Sequence, residues 1–365
     1  MTTHTITRML VPRNALHAPQ FETSEFDDAM LSDGDVLLRV DRFGLSANNI
    51  TYAVMGNVMG YWGFFTAPDS YGIIPVWGFA DVVASRHPDI PAGERVYGYL
   101  PFASHLVIRP DNITPYSFSD SHPERKGIHP VYDQYTRCAA DPAYQSANEA
   151  LHMNFRPLFM TSFVLDEAVA EAHAGDTIVI TSASSKTALG CAFLLHHHRR
   201  KRNATYRIVA LTSASNRDFV TSTGYYDDII SYDELATLPV NNPIAVLDFA
   251  ANGDVLTQLH ALAGSQFSTL WVIGATDWDA PRRHNIEGVD TQLFFAPEHV
   301  ARLQKQWGNK DFMLRYSEAW KAFQPDLQQQ FTLHNITGQT AMQRCYLDLL
   351  NGQAEPSELN DLRWG

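Results

Sequence analysis

The sequence predicts an α/β protein in two parts, a β-rich, barrel-like region followed by a doubly wound parallel sheet. Three observations carry this. The first third alternates short β-prone runs with Gly and Pro turns. From Asn148 onward, buried-strand runs alternate with helix-length segments. One strand, Asp176 to Ile180, opens directly into a Ser-rich loop and a helix, the unit with which a doubly wound sheet meets its ligand.

The elements follow in order. Asp35 to Val40 reads as a strand started by the turn residues Ser32, Asp33 and Gly34. Ile73 to Val83 is a second strand region, and Gly93 to Tyr99 follows a turn at Pro91, Ala92 and Gly93. Ala103 to Ile108 is closed by Arg109, Pro110 and Asp111. The stretch from Thr114 to about Ala147 is rich in Ser, Asp, His, Pro and Tyr and lacks a period, so it reads as a long excursion between domains. Pro157 to Ala174 is helical, with Phe159, Phe163, Val164, Val169 and Ala172 on its apolar positions. The helix after the Ser-rich loop runs to His198. Tyr206 to Leu211, Ala245 to Phe249 and Thr269 to Gly274 are further strands. The chain from Pro297 is helical, and its last helix, Ala341 to Leu350, stops at Asn351 and Gly352.

Length and composition agree with this. A chain of 365 residues suggests two domains, and 45% hydrophobic with 12% aromatic residues excludes a mostly disordered one. Lys and Arg number 27 against 40 Asp and Glu, a net charge of −13 that argues against a nucleic-acid binder. Cys138, Cys191 and Cys345 form no C-x-x-C pair, so neither a disulfide framework nor a cysteine zinc knuckle is indicated. The first residues, Met1 to Pro19, lack the apolar core of a signal peptide, and no run of about 18 apolar residues occurs. A soluble cytoplasmic protein with no membrane partner is expected.

The loop from Thr181 to Gly190 is the most informative segment. Ser182, Ser185 and Ala188 stand where a dinucleotide-binding loop carries glycines. Small residues still allow close approach, Ser and Thr hydroxyls can donate to phosphate, and Lys186 adds a positive charge. A Ser-rich helix cap is the plain alternative. The next strand tests the idea separately. An NAD site places Asp or Glu at that strand's end. Here Thr212, Ser213, Asn216 and Arg217 follow, with no acid before Asp218. Hydroxyls, an amide and a guanidinium suit a 2′-phosphate, which points to NADP(H); the alternative is that Arg217 is a solvated helix-start residue. The predicted cofactor-binding set is Thr161, Ser182, Ser184, Ser185, Lys186, Thr187, Thr212, Ser213, Asn216, Arg217, Tyr232 and Gly274.

Four stretches together resemble the medium-chain dehydrogenase/reductase superfamily: Gly34 to Val40, Gly44 to Asn49, Gly93 to Tyr99 and Ala174 to Thr181, with the tail Tyr346 to Gly352 fitting the family's end. Ser182 to Ala188 and Arg156 to Phe159 are most similar to its DUF2855 branch, a match that transfers no activity. The resemblance implies a GroES-like catalytic domain from residues 1–155 with 311–365 and a Rossmann NADP(H)-binding domain from 156–310, with the active site in the cleft between them. Zinc-dependent members use a Cys after the Gly44-type position and a Gly-His-Glu. This chain has Ser46 and Gly78-Phe79-Ala80 there, and the four-cysteine structural lobe is missing too. The resemblance therefore points to the zinc-independent, quinone-reductase-like branch, with no metal. In that branch a Tyr or Asn after the first core strand often faces the substrate carbonyl, which makes Tyr52, Asn48 and Asn49 the catalytic candidates. A Tyr O–H or Asn N–H there would stabilise the negative charge that hydride delivery builds on oxygen. The competing reading of Tyr52 is a core aromatic.

Tyr61, Trp62, Phe64, Phe65 and Trp77 form an aromatic cluster, either core or the lining of a pocket for a small apolar or cyclic carbonyl substrate. The run His196 to Arg202 is better explained as cations at a helix C-terminus than as a metal site. Cys191 reads as inert packing. The expected function is an NADPH-dependent oxidoreductase passing hydride to an activated C=C of an enone or quinone or, second, to a C=O. The alternative is an NADP(H)-binding protein with little catalysis, acting as a sensor or interaction module. Monomer and homodimer stay open, the superfamily often pairing through the edge of its Rossmann sheet.

Overall fold

Hydrophobic alternation and turn chemistry dominate the first part of the chain, and the result is antiparallel β-structure. The structure, a computed structural model, describes residues 2–57, 60–125, 130–142, 144–172, 175–274 and 286–364. It divides into two compact units, one of residues 1–154, 333–354 and 358–365, the other of 155–332 and 355–357. Residues 311–332, expected with the β-rich part, belong to the second unit, because Phe312, Tyr316, Trp320 and Phe323 of the helix Asn309–Gln330 are buried and pack on Phe159 and Phe163.

Among the described residues, the first unit holds a three-stranded and a nine-stranded sheet. Val36–Leu45 is the spine of the larger one. It pairs antiparallel with Pro75–Ser85, with His105–Ile108 and with the C-terminal strand Glu358–Arg363. Pro75–Ser85 pairs in turn with Arg95–Pro101. Thr3–Pro12 and Gln20–Asp27 form an N-terminal hairpin that the sequence reading left unassigned. Residues 114–147 are not a structureless excursion. Ser117–Asp120 pairs with Gln134–Arg137, which pairs with Arg95–Pro101, so the segment extends the sheet; residues 126–129 and 143 lie outside the described residues. Each strand is only four residues long, too short for a period to show, yet Phe118 and Tyr135 are buried and stack at 5.6 Å.

The second unit carries a six-stranded sheet in which every pair is parallel. In space the order is Asp228–Ser231, Arg207–Thr212, Thr177–Ile180, Ile244–Asp248, Phe267–Val272, Asp290–Leu293. Numbered along the chain this is 3-2-1-4-5-6, the doubly wound order. The topological switch point therefore lies between Thr177–Ile180 and Ile244–Asp248, whose ends are joined by a 2.6 Å hydrogen bond from Thr181 Oγ1 to Asp248 Oδ1. Val179, Val209, Val246 and Leu270 are fully buried on the central strands. A long helix, Glu149–Ala172, starts eight residues before the predicted Pro157, which it accommodates in its interior; Ala174 lies outside the described residues. No described helix is long and apolar enough to cross a membrane.

Candidate functional site

Two groups of predicted residues are assembled, one in each unit. The first is the loop between Thr177–Ile180 and the helix Lys186–Arg199. Ser182 takes a left-handed backbone, φ +47°, the conformation glycine usually supplies in this turn. Its N–H donates to the Tyr232 hydroxyl at 2.8 Å. Ser185 occupies the N-cap of the helix but makes no capping hydrogen bond, and its Oγ is buried without a partner. The first N–H groups of a helix have no partner inside it and draw anions. Lys186 stands at the first helical position, its Nζ 5.8 Å from the centroid of the Phe331 ring. Ser162 Oγ, next to Thr161 on the long helix, donates to the Thr187 carbonyl at 2.7 Å. That contact is close enough that a Cβ on Gly190 would lie 2.8 Å from Ser162 Oγ. Gly190, which lies beyond the three small residues of the loop, thus lets this helix pack closely on the long one.

The end of the second strand closes over this loop. Thr212 is 1% exposed and its Oγ1 is buried with no partner. Asn216 Nδ2 donates to Ser184 Oγ at 2.9 Å, and Ser213 and Ser215 hydroxyls meet at 3.0 Å. Arg217 is tied to Glu234 and to the Ile229 carbonyl. The sequence reading missed Glu234 because it lies beyond the third strand. Gly274 N–H donates to the Asp248 carbonyl at 3.2 Å at the switch point, where a Cβ would press to 2.9 Å on the Phe249 carbonyl. Unpartnered buried hydroxyls on Ser185 and Thr212, a helix N-terminus and a half-exposed guanidinium are a donor set that fits a phosphorylated ribose and pyrophosphate.

The second group lies in the first unit, on the short helix Ala47–Val54. Ser46 and Asn49 form a capping box: Asn49 Oδ1 accepts the Ser46 N–H at 2.8 Å, while its Nδ2 donates to the Pro75 carbonyl at 2.9 Å. Asn49 is 4% exposed, and its amide oxygen and nitrogen both bind the surrounding backbone, one at the cap and one at Pro75. Asn48 is half-buried and its side chain hydrogen-bonds Tyr52. Tyr52 is 7% exposed, and Trp77 Nε1 donates to its hydroxyl at 3.4 Å. Burial raises the Tyr52 pKa above its ordinary value, outweighing the hydrogen bonds that lower it, so the phenol stays protonated. Tyr52 packs on Tyr61 at 4.7 Å and Tyr99 at 5.7 Å, and Tyr132 closes the group at 4.8 Å from Tyr99. The aromatic cluster divides: Trp62, Phe64 and Phe65 are buried, while Tyr61 and Trp77 are half-exposed. Gly56 and Gly72 make the slot for Trp62, since a Cβ on either would come within 2.3 Å of its indole.

Ser46 belongs to the cap of the short helix, and Phe79 is fully buried in the core. Among the described residues, Asp166, Glu167 and His198 can approach one point. There Arg202 already holds both Asp166 oxygens, at 2.7 and 2.9 Å, and Glu167 at 3.0 Å, so the group is an ion-pair network anchoring the basic end of the helix. Cys191 is fully buried, and burial raises its thiol pKa well above the usual range, in keeping with inert packing.

The chain is similar in structure to CurA from Vibrio vulnificus, solved in complex with NADPH (TM-score 0.62, 13% identity, 98% of this chain and 99% of that one). It is also similar to the yhdH oxidoreductase from Salmonella enterica, solved with NADP (0.52, 16%, 98% and 99%), and to the CurK enoyl reductase (0.56, 13%, 99% and 99%). At these identities the likeness establishes the fold, a GroES-like unit plus a Rossmann unit. No curated protein matches the sequence. The family model described as "Protein of unknown function (DUF2855)" matches residues 43–355, so the chain belongs to the DUF2855 family.

Proposed function

We propose that the protein is a zinc-independent, NADPH-dependent reductase that passes hydride to an activated C=C of an enone or quinone. The observation that carries this is the end of the second strand: Thr212 with an orphan buried hydroxyl, then Ser213, Asn216 and Arg217, where an NAD site would carry an acid. The NADPH and NADP complexes of the CurA and yhdH structures, and the name of the enoyl reductase, support the same reading.

When bound, the dinucleotide would supply the hydride. The chain's own part is to seat the pyrophosphate on the Ser182–Thr187 loop and the 2′-phosphate near Thr212 and Arg217. Tyr52, kept neutral by burial, is the proposed donor to the substrate oxygen as negative charge develops there. Its oxygen accepts from Trp77 Nε1 at 3.4 Å, which orients the hydroxyl. A half-exposed aromatic surface of Tyr61, Trp77 and Tyr132 suits a planar, apolar substrate. The test is NADPH oxidation with a panel of enones, quinones and aldehydes. Turnover of an enone or quinone supports the proposal, and turnover of aldehydes alone would move it to C=O reduction.

A further inference from the structure

Ser182 keeps a left-handed backbone with a Cβ in place, in a loop where glycine normally makes that turn free of strain. The structure shows what holds it. Tyr232, following the third strand, accepts the Ser182 N–H at 2.8 Å. Ala183 is held at both ends, its N–H donating to the Leu211 carbonyl at 3.0 Å and its carbonyl accepting the Tyr226 hydroxyl at 2.8 Å. Ser184 Oγ accepts from Asn216 Nδ2 at 2.9 Å. Three successive loop residues are thus each bound by a side chain from the second or third strand-helix unit.

We propose that Tyr232 is the positioning residue that replaces the first glycine of the dinucleotide loop. Glycine makes the turn accessible; Tyr232 instead fixes one non-glycine residue in it, so the loop backbone is set before a nucleotide arrives. Tyr226 and Asn216 hold the two residues that follow. This rests on the NADP(H) reading for its consequence, but the loop geometry itself is a property of the ligand-free chain.

Two measurements on the full-length protein test it. In ligand-free protein, Tyr232→Phe should speed amide hydrogen exchange at Ser182 at least tenfold, with the sheet strands unchanged. By calorimetry, Tyr232→Phe should weaken NADPH about tenfold, equivalent to 1.4 kcal/mol. Adding Ser182→Gly to Tyr232→Phe should bring the dissociation constant back to within about twofold of the parent, because glycine needs no restraint to adopt the turn. Unchanged exchange at Ser182 in Tyr232→Phe overturns the proposal. So does an NADPH loss that Ser182→Gly does not rescue, which would make Tyr232 a direct contact of the nucleotide. If the parent protein binds no NADPH, the functional reading falls, and the exchange measurement alone decides the role of Tyr232.

Discussion

Arg217 donates to Glu234, and the pair bridges the segments that follow the second and third strands of the parallel sheet. A second guanidinium nitrogen reaches the Ile229 carbonyl at 3.3 Å, so the arginine is oriented as well as paired. Hydrogen bonds from Ser231 and then Arg217 hold the Glu234 carboxyl below its usual range, so it is ionised at neutral pH. Under the proposed function, a 2′-phosphate would compete with this carboxylate for the Arg217 guanidinium.

That competition has a direction. Arg217→Ala should weaken NADPH about tenfold and leave NADH within about twofold. Glu234→Gln should do the reverse, tightening NADPH about two- to fivefold, with the gain shrinking as salt rises. Calorimetric titration of both cofactors checks this. An NADPH-to-NADH ratio unmoved by Glu234→Gln would show that the pair does not compete with the phosphate.

Tyr52→Phe removes one hydroxyl from a buried ring and keeps the packing on Tyr61 and Tyr99. Turnover should fall about 100- to 1000-fold, the usual loss for one oxyanion donor, with NADPH affinity unchanged. Because burial pushes this phenol above its ordinary value of 10.0, no loss of rate from its ionisation should appear up to that pH. Turnover within about threefold of the parent would instead assign the donor to Asn48, its half-exposed neighbour.

Asn49→Ala should behave differently from either. It opens the capping box at Ser46 and frees the Pro75 carbonyl, both in a buried setting. Stability should fall by about 1–3 kcal/mol, read as a lower urea midpoint at constant slope. A fall in turnover of folded protein with stability intact would restore Asn49 as a catalytic candidate.

The first unit should be acid-sensitive for two separable reasons. Burial pushes the Glu149 carboxyl up, but hydrogen bonds from Arg95 and Tyr144 and the charges of Arg95 and Arg42 outweigh it and hold the pKa below 4.5. A depressed carboxyl contributes stability that is present above the unfolded pKa and lost as pH falls through the folded one. His105, lowered to about 4 by burial and then by His4 and Arg39, loses its contribution earlier, between 6.5 and about 4. Urea midpoints measured against pH should fall in both windows. Glu149→Gln should flatten the lower one while costing about 3–5 kcal/mol at neutral pH, since Arg42 is left buried with one partner fewer. A lower limb unchanged in Glu149→Gln would assign it to other carboxyls.

The parallel sheet was legible from the chain because each strand is a continuous apolar run separated by a helix-length segment, as in Ile178 to Ile180 and Ile208 to Leu211. The N-terminal hairpin was not, since Gln20–Asp27 buries none of its residues fully and its pattern of Glu, Thr and Ser reads as loop. The loop at Ser182 could be placed by its position after a strand. Its support by Tyr226 and Tyr232 could not, because that pairing depends on contacts 43 and 50 residues apart. The same holds for Glu234 against Arg217, and for Gly190, whose need for a missing side chain is set by Ser162 on another helix.

The most direct measurement is the binding of NADPH and NADH to the purified chain by isothermal titration calorimetry at fixed salt. One site per chain and at least a tenfold tighter dissociation constant for NADPH are expected. Equal affinities, or binding of NADH alone, would contradict the assignment of Thr212, Ser213, Asn216 and Arg217 to a 2′-phosphate.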